Sequence, residues 1–289
     1  MRHWRSGRKA AEIPLHDSGH RKDVLVYAII SDLHSNLEAL TAVLDRIERA
    51  KVEDIVCLGD VIGYGPDPES CIDLVRTRCR FTIRGNHDDA LLADAADFNP
   101  IAREVIDGTR QMLKPGLFSS VAKRERWNFL KNLEIERREG PVLYVHGSPR
   151  EPVKEYVMRT DVVFAPDKLR ESFERIDQLC FVGHTHQPGV FIERFDGDRP
   201  YYEHRAPHEL KDGIYVLGAE KVLCNVGSVG QPRDGDPRSC FVVVHESQDG
   251  KPTKIQFVRV EYDFRPTQQK IDAIPWINNL CATRLEIGK

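Results

Sequence analysis

The sequence predicts an α/β fold, and three observations carry that expectation. Short apolar runs alternate with helical stretches through the first third of the chain. Its 289 residues suffice for one large domain, since single domains of roughly 200–250 residues are common. Finally, five small clusters of histidine, carboxylate and amide side chains each follow an apolar run that reads as a β-strand.

In order, the run at 24–30 leads to Asp32-x-His34, that at 55–58 to Gly59-Asp60, and that at 81–83 to Gly85-Asn86-His87-Asp88. The runs at 142–145 and 179–182 lead to His146-Gly147 and to Gly183-His184-x-His186. Between the first two, residues 36–49 place Leu37, Leu40, Leu44 and Ile47 on one helical face. Ser35-x-x-Glu38 offers that helix a capping box. Asp67-Pro68 offers a cap and first turn for a second helix, to about Arg76. A β-α-β-α-β succession implies parallel neighbours and right-handed crossovers. Loops leaving the carboxyl ends of such strands open on one crevice, so distant clusters can meet there.

Residues 89–140 form an insertion, helical at 100–113 and 121–133, that either walls the site or packs away from it. From Ile214 the chain turns β-rich, at 214–217, 221–225, 240–245 and 254–262. The stretch 225–238 between them holds too much Gly and Pro for a helix or central strand. Residues 266–289 carry Ile271, Ile274, Ile277 and Trp276, which suggest a C-terminal docking segment or a partner contact.

Composition is that of an ordinary globular protein, 40% apolar and 30% charged. A net charge of −3 gives no global pull toward nucleic acid or acidic membranes. Arg84, Arg150, Arg233 and Arg238 can still make a local basic patch. No apolar run approaches the ~20 residues that cross a bilayer. Residues 1–23 lack the apolar segment of a secretory signal and read as a flexible or loosely docked extension. Seven cysteines without C-x-x-C spacing point to reduced thiols and a cytoplasmic protein.

Each cluster has an ordinary explanation when taken alone. Asp32 would be a helix cap, Gly59-Asp60 and Gly85-Asn86 turns, and His146 a hydrogen-bonded core histidine. His184-x-His186 needs a turn to bring both rings to one side, and Gly183 permits one. A mixed set of four His, two Asp and one Asn drawn from these clusters would suit manganese, iron, zinc, cobalt or nickel. No thiolate joins them, which argues against a Cys-rich structural zinc site.

The ordered five-block signature, within a match from about Val24 to Val260, resembles the calcineurin-like metallophosphoesterase superfamily. The resemblance implies a four-layer α-β-β-α sandwich of two mixed sheets, with the segments after Ile214 building the second sheet. It also implies that Asp32, His34 and His186 hold one divalent metal ion, that Asn86, His146 and His184 hold another, and that Asp60 bridges them. His87 would be a catalytic histidine outside the ligand set, oriented by Asp88. Two ions about 3.5–4 Å apart can generate a bridging hydroxide as nucleophile and clamp a phosphoester for in-line displacement. An unligated imidazole can then assist the leaving group.

The expected activity is therefore two-metal-dependent hydrolysis of a small phosphodiester or phosphomonoester, with nucleotides a reasonable guess and neither nucleic acid nor membrane as partner. Arg84, Tyr64 and Arg233 are the candidate substrate contacts. Asn225-Val-Gly-Ser resembles an Asn-Pro-Gly-Ser segment of small bacterial phosphodiesterase-like members, with Val226 in place of Pro. It is either a surface loop or one whose backbone N–H groups contact a phosphate. Two other readings stand beside this one. A Ser/Thr phosphoprotein phosphatase agrees with Arg84, but Val61-Ile62-Gly63-Tyr64-Gly65 departs from the acidic-arginine continuation of that branch. A non-catalytic interaction scaffold on the same fold would be expected to have lost histidines that this chain keeps.

Overall fold

Alternation along β1 (Val26–Ile30) sets up the layers. Tyr27 and Ile29 face a second sheet, while Ala28 and Ile30 face a layer of helices. The computed structural model describes residues 26–289, so the N-terminal extension assigned to 1–23 lies outside the described residues.

The first sheet runs β3 (Phe81–Thr82), β2 (Asp54–Cys57), β1, β11 (Ser239–Glu246), β12 (Pro252–Val260), β9 (Ile214–Val216). The second runs β4 (Glu136–Glu139), β5 (Val142–Val145), β6 (Leu179–Val182), β10 (Val222–Asn225), β7 (Gly189–Asp196), β8 (Arg199–Arg205). Parallel pairing joins β1, β2 and β3, and also β5, β6 and β10. The remaining pairs are antiparallel, so both sheets are mixed. Helices α1 (Leu37–Arg49) and α2 (Pro68–Arg78) contribute to the core on the outer face of the first sheet, and α7 (Pro166–Glu174) to that of the second, with α6 (Asp161–Phe164) just before it. The fold is a four-layer α/β sandwich.

The segments after Ile214 do not build the second sheet. β9, β11 and β12 extend the first, because β11 pairs antiparallel with β1, and only β10 crosses to the second. Apolar alternation marks a buried face but does not choose a partner strand. The edge strands β4 and β8, together with β7, complete the second sheet, and their charged residues hide them from an apolar-run reading.

Between the sheets lies a layer that includes Phe181, Tyr144, Val242 and Phe257. Across it the hydroxyls of Tyr27 and Tyr144 meet at 2.9 Å, which satisfies two buried polar atoms at once. Phe181 is fully buried there. Phe181→Ala is expected to destabilise the fold by about 3–5 kcal/mol, read as a lower urea midpoint at an unchanged slope.

Two caps differ from expectation. The side chain of Asn36, not Ser35, accepts from Ala39 N–H (3.1 Å) to start α1. Glu38 turns instead to Thr267 (2.7 Å) and Lys270 (2.6 Å). Asp67 occupies the cap position of α2 without a capping bond, its carboxylate held 2.8 Å from Lys270. Lys270 belongs to α8 (Arg265–Asp272), which together with α9 (Leu280–Ile287) forms most of the C-terminal segment. Ile271, Ile277, Cys281 and Leu285 of that segment share a core cluster with Tyr64, Ala102 and Val105, so it docks on its own chain. The insertion folds as α3 (Asn86–Leu92), α4 (Pro100–Leu113) and α5 (Val121–Lys131), ahead of β4. Trp276 lies against α4 at Gly108, where a Cβ would come within 2.3 Å of the indole.

Candidate metal centre

The five clusters converge because each hangs from the carboxyl end of a strand: Asp32 after β1, Asp60 after β2, Asn86 after β3, His146 after β5 and His184 after β6. Among the described residues, nine non-glycine positions have a left-handed backbone. Seven of them are Asp32, His34, Ser35, Asp60, Tyr64, His184 and His186. Such conformations are costly outside glycine and persist where the surroundings enforce them. Strain is thus concentrated on the ligand loops. The loops also press together closely, and a Cβ on Gly85 would sit 2.1 Å from Asp60 Oδ1.

Two groups of side chains could each hold an ion: Asp32, His34, Asp60 and His186, and Asp60, His146 and His184. Within each, one donor atom per residue lies within 4.8 Å of the others, and all are buried. Asp60 belongs to both, its Oδ2 lying 3.6 Å from His34 Nε2 and 3.5 Å from His146 Nε2. The Oδ1 of Asn86 adds a donor 3.0 Å from His146 Nε2.

Backbone carbonyls fix the tautomers. The Nδ1 atoms of His34, His146 and His186 face the carbonyls of Ile62 (3.3 Å), Leu58 (2.9 Å) and Gln231 (2.5 Å). A carbonyl only accepts, so each Nδ1 carries hydrogen, which leaves a lone pair on Nε2 of the neutral rings His34 and His186. His184 is reversed, donating from Nε2 to Lys154 O at 2.9 Å and leaving Nδ1 free. The Nε2 atoms of His34 and His186 then confront each other at 3.0 Å, and His186 Nε2 lies 3.2 Å from Asp32 Oδ1. Lone pairs aimed at one point repel unless a cation occupies it, and outer hydrogen bonds of this kind are how metal-binding imidazoles are oriented. The residues fit a metal pair.

Electrostatics agree. Burial would lift the Asp60 carboxyl, yet His146 beside it holds it below the usual range. Burial also lowers His34, His186 and His184, the last to about 3, so these rings are neutral donors at pH 7. Against its own burial, His146 is lifted to about 9 by Asp60, a proton that an entering cation would displace.

The calcineurin-like phosphoesterase superfamily domain matches residues 25–249. This chain belongs to that superfamily. An uncharacterized protein of Methanocaldococcus jannaschii is 36% identical to this phosphoesterase-family chain over 251 residues, 84% of it and 90% of the relative. The crystal structure of a metallophosphoesterase from Sphaerobacter thermophilus superposes with a TM-score of 0.71 at 32% identity, covering 92% of this chain and 100% of that one.

Within this calcineurin-like site, His87 stands in neither ligand group. Its backbone N–H donates to Asp60 Oδ1 (2.8 Å), and its ring packs against Tyr64 (4.6 Å), His34 (4.9 Å) and Phe98 (5.0 Å). Its Nδ1 is buried and has no hydrogen-bond partner among the described residues. Asp88 does not orient it. The Asp88 carboxylate instead accepts backbone N–H bonds from Val61 (3.1 Å), Ile62 (3.3 Å) and Gly85 (3.0 Å), stapling the Asp60 loop to the start of α3. Gly63 shapes the seat of His87, since at its φ of +107° a Cβ would come within 2.4 Å of the imidazole Nδ1.

The candidate substrate contacts separate. Tyr64 lies 4.8 Å from the His34 ring, and the Arg233 guanidinium sits 5.4 Å over Tyr64. Both border the site. Arg84 is committed elsewhere, to Lys131 O (2.8 Å) and Asp89 (3.4 Å), where it ties the third cluster to the end of α5. The Asn225 loop likewise spends its backbone N–H groups on the protein. Val229 and Gly230 donate to the carbonyls of Ser31 and Asp32, and Gly227 to the Asn225 side chain. Asn225 Nδ2 holds Gly183 O and Thr185, while Ser228 Oγ holds Asp32 O (2.9 Å). This loop positions ligands and leaves those N–H groups unavailable to a phosphate. The sequence reading missed Tyr156, which stacks on His184 at 3.9 Å and is 46% exposed at the mouth. It stands alone in a loop between motifs, so no periodicity marked it. Phe98 was missed for the same reason; through it the insertion reaches the site beside His87.

Proposed function

We propose that this superfamily member is a two-metal-dependent hydrolase of small phosphodiesters or phosphomonoesters, nucleotides among them. The observation that carries the reading is the sharing of Asp60 between two buried ligand groups with His87 beside them. Asp32, His34 and His186 would hold one ion, Asn86, His146 and His184 the other, with Asp60 between. Bound there, a divalent pair neutralises phosphoryl oxygens and acidifies a water for attack.

The protein's own groups supply the rest. Asp60 uses Oδ2 toward both ligand groups and Oδ1 to hold the His87 backbone, so one carboxylate sets the ligand spacing and the imidazole position together. Burial holds His87 at about 4, so the free imidazole is neutral at pH 7. In this reading it moves a proton to the leaving oxygen only once substrate charge draws one onto the ring. Arg233 places a fixed positive charge over Tyr64, at the border where substrate phosphate would enter. The donor set admits manganese, iron, zinc, cobalt or nickel. No helix among the described residues is long and apolar enough to cross a membrane.

The test is elemental analysis of the purified protein alongside hydrolysis of bis-p-nitrophenyl phosphate and p-nitrophenyl phosphate. The expected result is about two divalent ions per chain, turnover of at least one ester, loss of turnover on chelation and its return with manganese. The preferred ester separates diesterase from monoesterase. A folded protein that takes up no metal and turns over neither ester with manganese present would instead favour the scaffold.

A further inference from the structure

A cleft of ≈ 700 Å³ meets the border of the metal centre at Arg233, whose guanidinium lies over Tyr64, and its walls include residues that follow the centre's own in sequence. Val157 and Arg159 follow Tyr156, the ring stacked on His184. Gln187 and Pro188 follow His186 directly. Arg233 joins the same wall, its backbone N–H donating to His186 O at 3.2 Å.

Charge in the cleft is uneven. Arg238 and Arg259 are neutralised by Asp236 and Asp234. Arg159 and Arg233 have no carboxylate partner among the described residues. Arg233 is held by the neutral Oε1 of Gln231 through Nε (3.2 Å) and Nη2 (2.7 Å), which fixes the guanidinium without cancelling its charge. The rest of the lining differs in kind. Pro188, Phe191 and Phe257 supply apolar surface, and His204 meets Phe191 edge-on at 4.8 Å. Asp212 adds an acceptor with no cation in salt-bridge range among the described residues. A cleft of this volume suits a ligand of drug or nucleotide size.

We infer that the cleft binds the remote part of the substrate, and that this part is a nucleotide bearing an anionic group beyond the scissile phosphate. Its base would lie on the apolar wall, its sugar hydroxyls at Asp212, and its second phosphate between Arg159 and Arg233. The inference rests on the phosphoesterase reading only in placing the scissile phosphate at the metal centre.

Calorimetric titration of the manganese-loaded protein with ADP and with inorganic phosphate tests it. Wild type should bind ADP more tightly than phosphate. Arg159→Ala should reduce that ADP-over-phosphate ratio about tenfold, the loss of one hydrogen bond to a charged group, and Arg159→Lys should restore part of it. The inference is overturned if the ratio is unchanged in both Arg159→Ala and Arg159→Glu, or if both ligands weaken by the same factor. Hydrolysis of p-nitrophenyl phosphate by wild type reports separately on the parent reading. An inactive protein whose ADP affinity still depends on Arg159 would discard the phosphoesterase and keep the cleft.

Discussion

Asp60→Asn is expected to empty both metal positions together. The carboxylate is the one group common to the two ligand sets, about equally far from His34 and His146 through the same oxygen. Replacing it with an amide removes a negative charge that faces both. It also withdraws the partner that lifts His146, so the surrounding imidazoles lose their main compensation. Each metal affinity should fall by more than the ~10–100-fold that losing an outer hydrogen-bond partner costs, with turnover falling alongside. Asp32→Ala and His184→Ala should be lopsided by contrast, each weakening mainly its own group. Metal content after dialysis against graded chelator distinguishes the patterns. An Asp60→Asn protein that kept two tightly held ions and full turnover would sink the shared-carboxylate assignment.

His87→Ala is expected to have the opposite profile, with both metals retained and turnover reduced by ~10²–10⁴-fold. Its side chain lies outside both ligand groups, yet its ring touches His34 and its backbone is tied to Asp60. If the imidazole protonates the leaving oxygen, the loss must depend on how much help that oxygen needs. Esters of p-nitrophenol, whose anion leaves readily, should suffer less than alkyl esters. The loss should also fall on kcat more than on KM. Equal losses for both ester types would show that the ring only packs the site.

Much of this arrangement was legible because its signals are local. Each ligand cluster lies within a few residues of an apolar run, and a buried strand announces itself by that run wherever it ends up in the sheet. The helix α1 was equally clear from its periodic apolar face. What escaped depends on partners distant in sequence. β11 joins the first sheet through β1, more than two hundred residues earlier. β4 reads Glu-Arg-Arg-Glu, a sequence that becomes a strand only beside β5. Asp88 offered a plausible neighbour for His87, but three backbone N–H groups claim its carboxylate, and no spacing rule reveals that. Arg84 was misread for a similar reason, since its partners arrive with the end of α5.

The left-handed backbone at the ligands has a consequence for how such a chain drifts. Asp32, His34, Asp60, His184 and His186 all occupy conformations that glycine adopts with less strain. Replacing His184 by glycine removes a donor from the metal centre while relaxing the backbone that carried it. In a lineage released from selection for catalysis, the three histidine positions would be expected to decay toward glycine and asparagine, while Asp32 and Asp60 would be retained longer because their carboxylates also accept the backbone N–H groups of His184 and His87. The vacated loops would keep their shape, leaving an inert surface of the same outline available for another purpose.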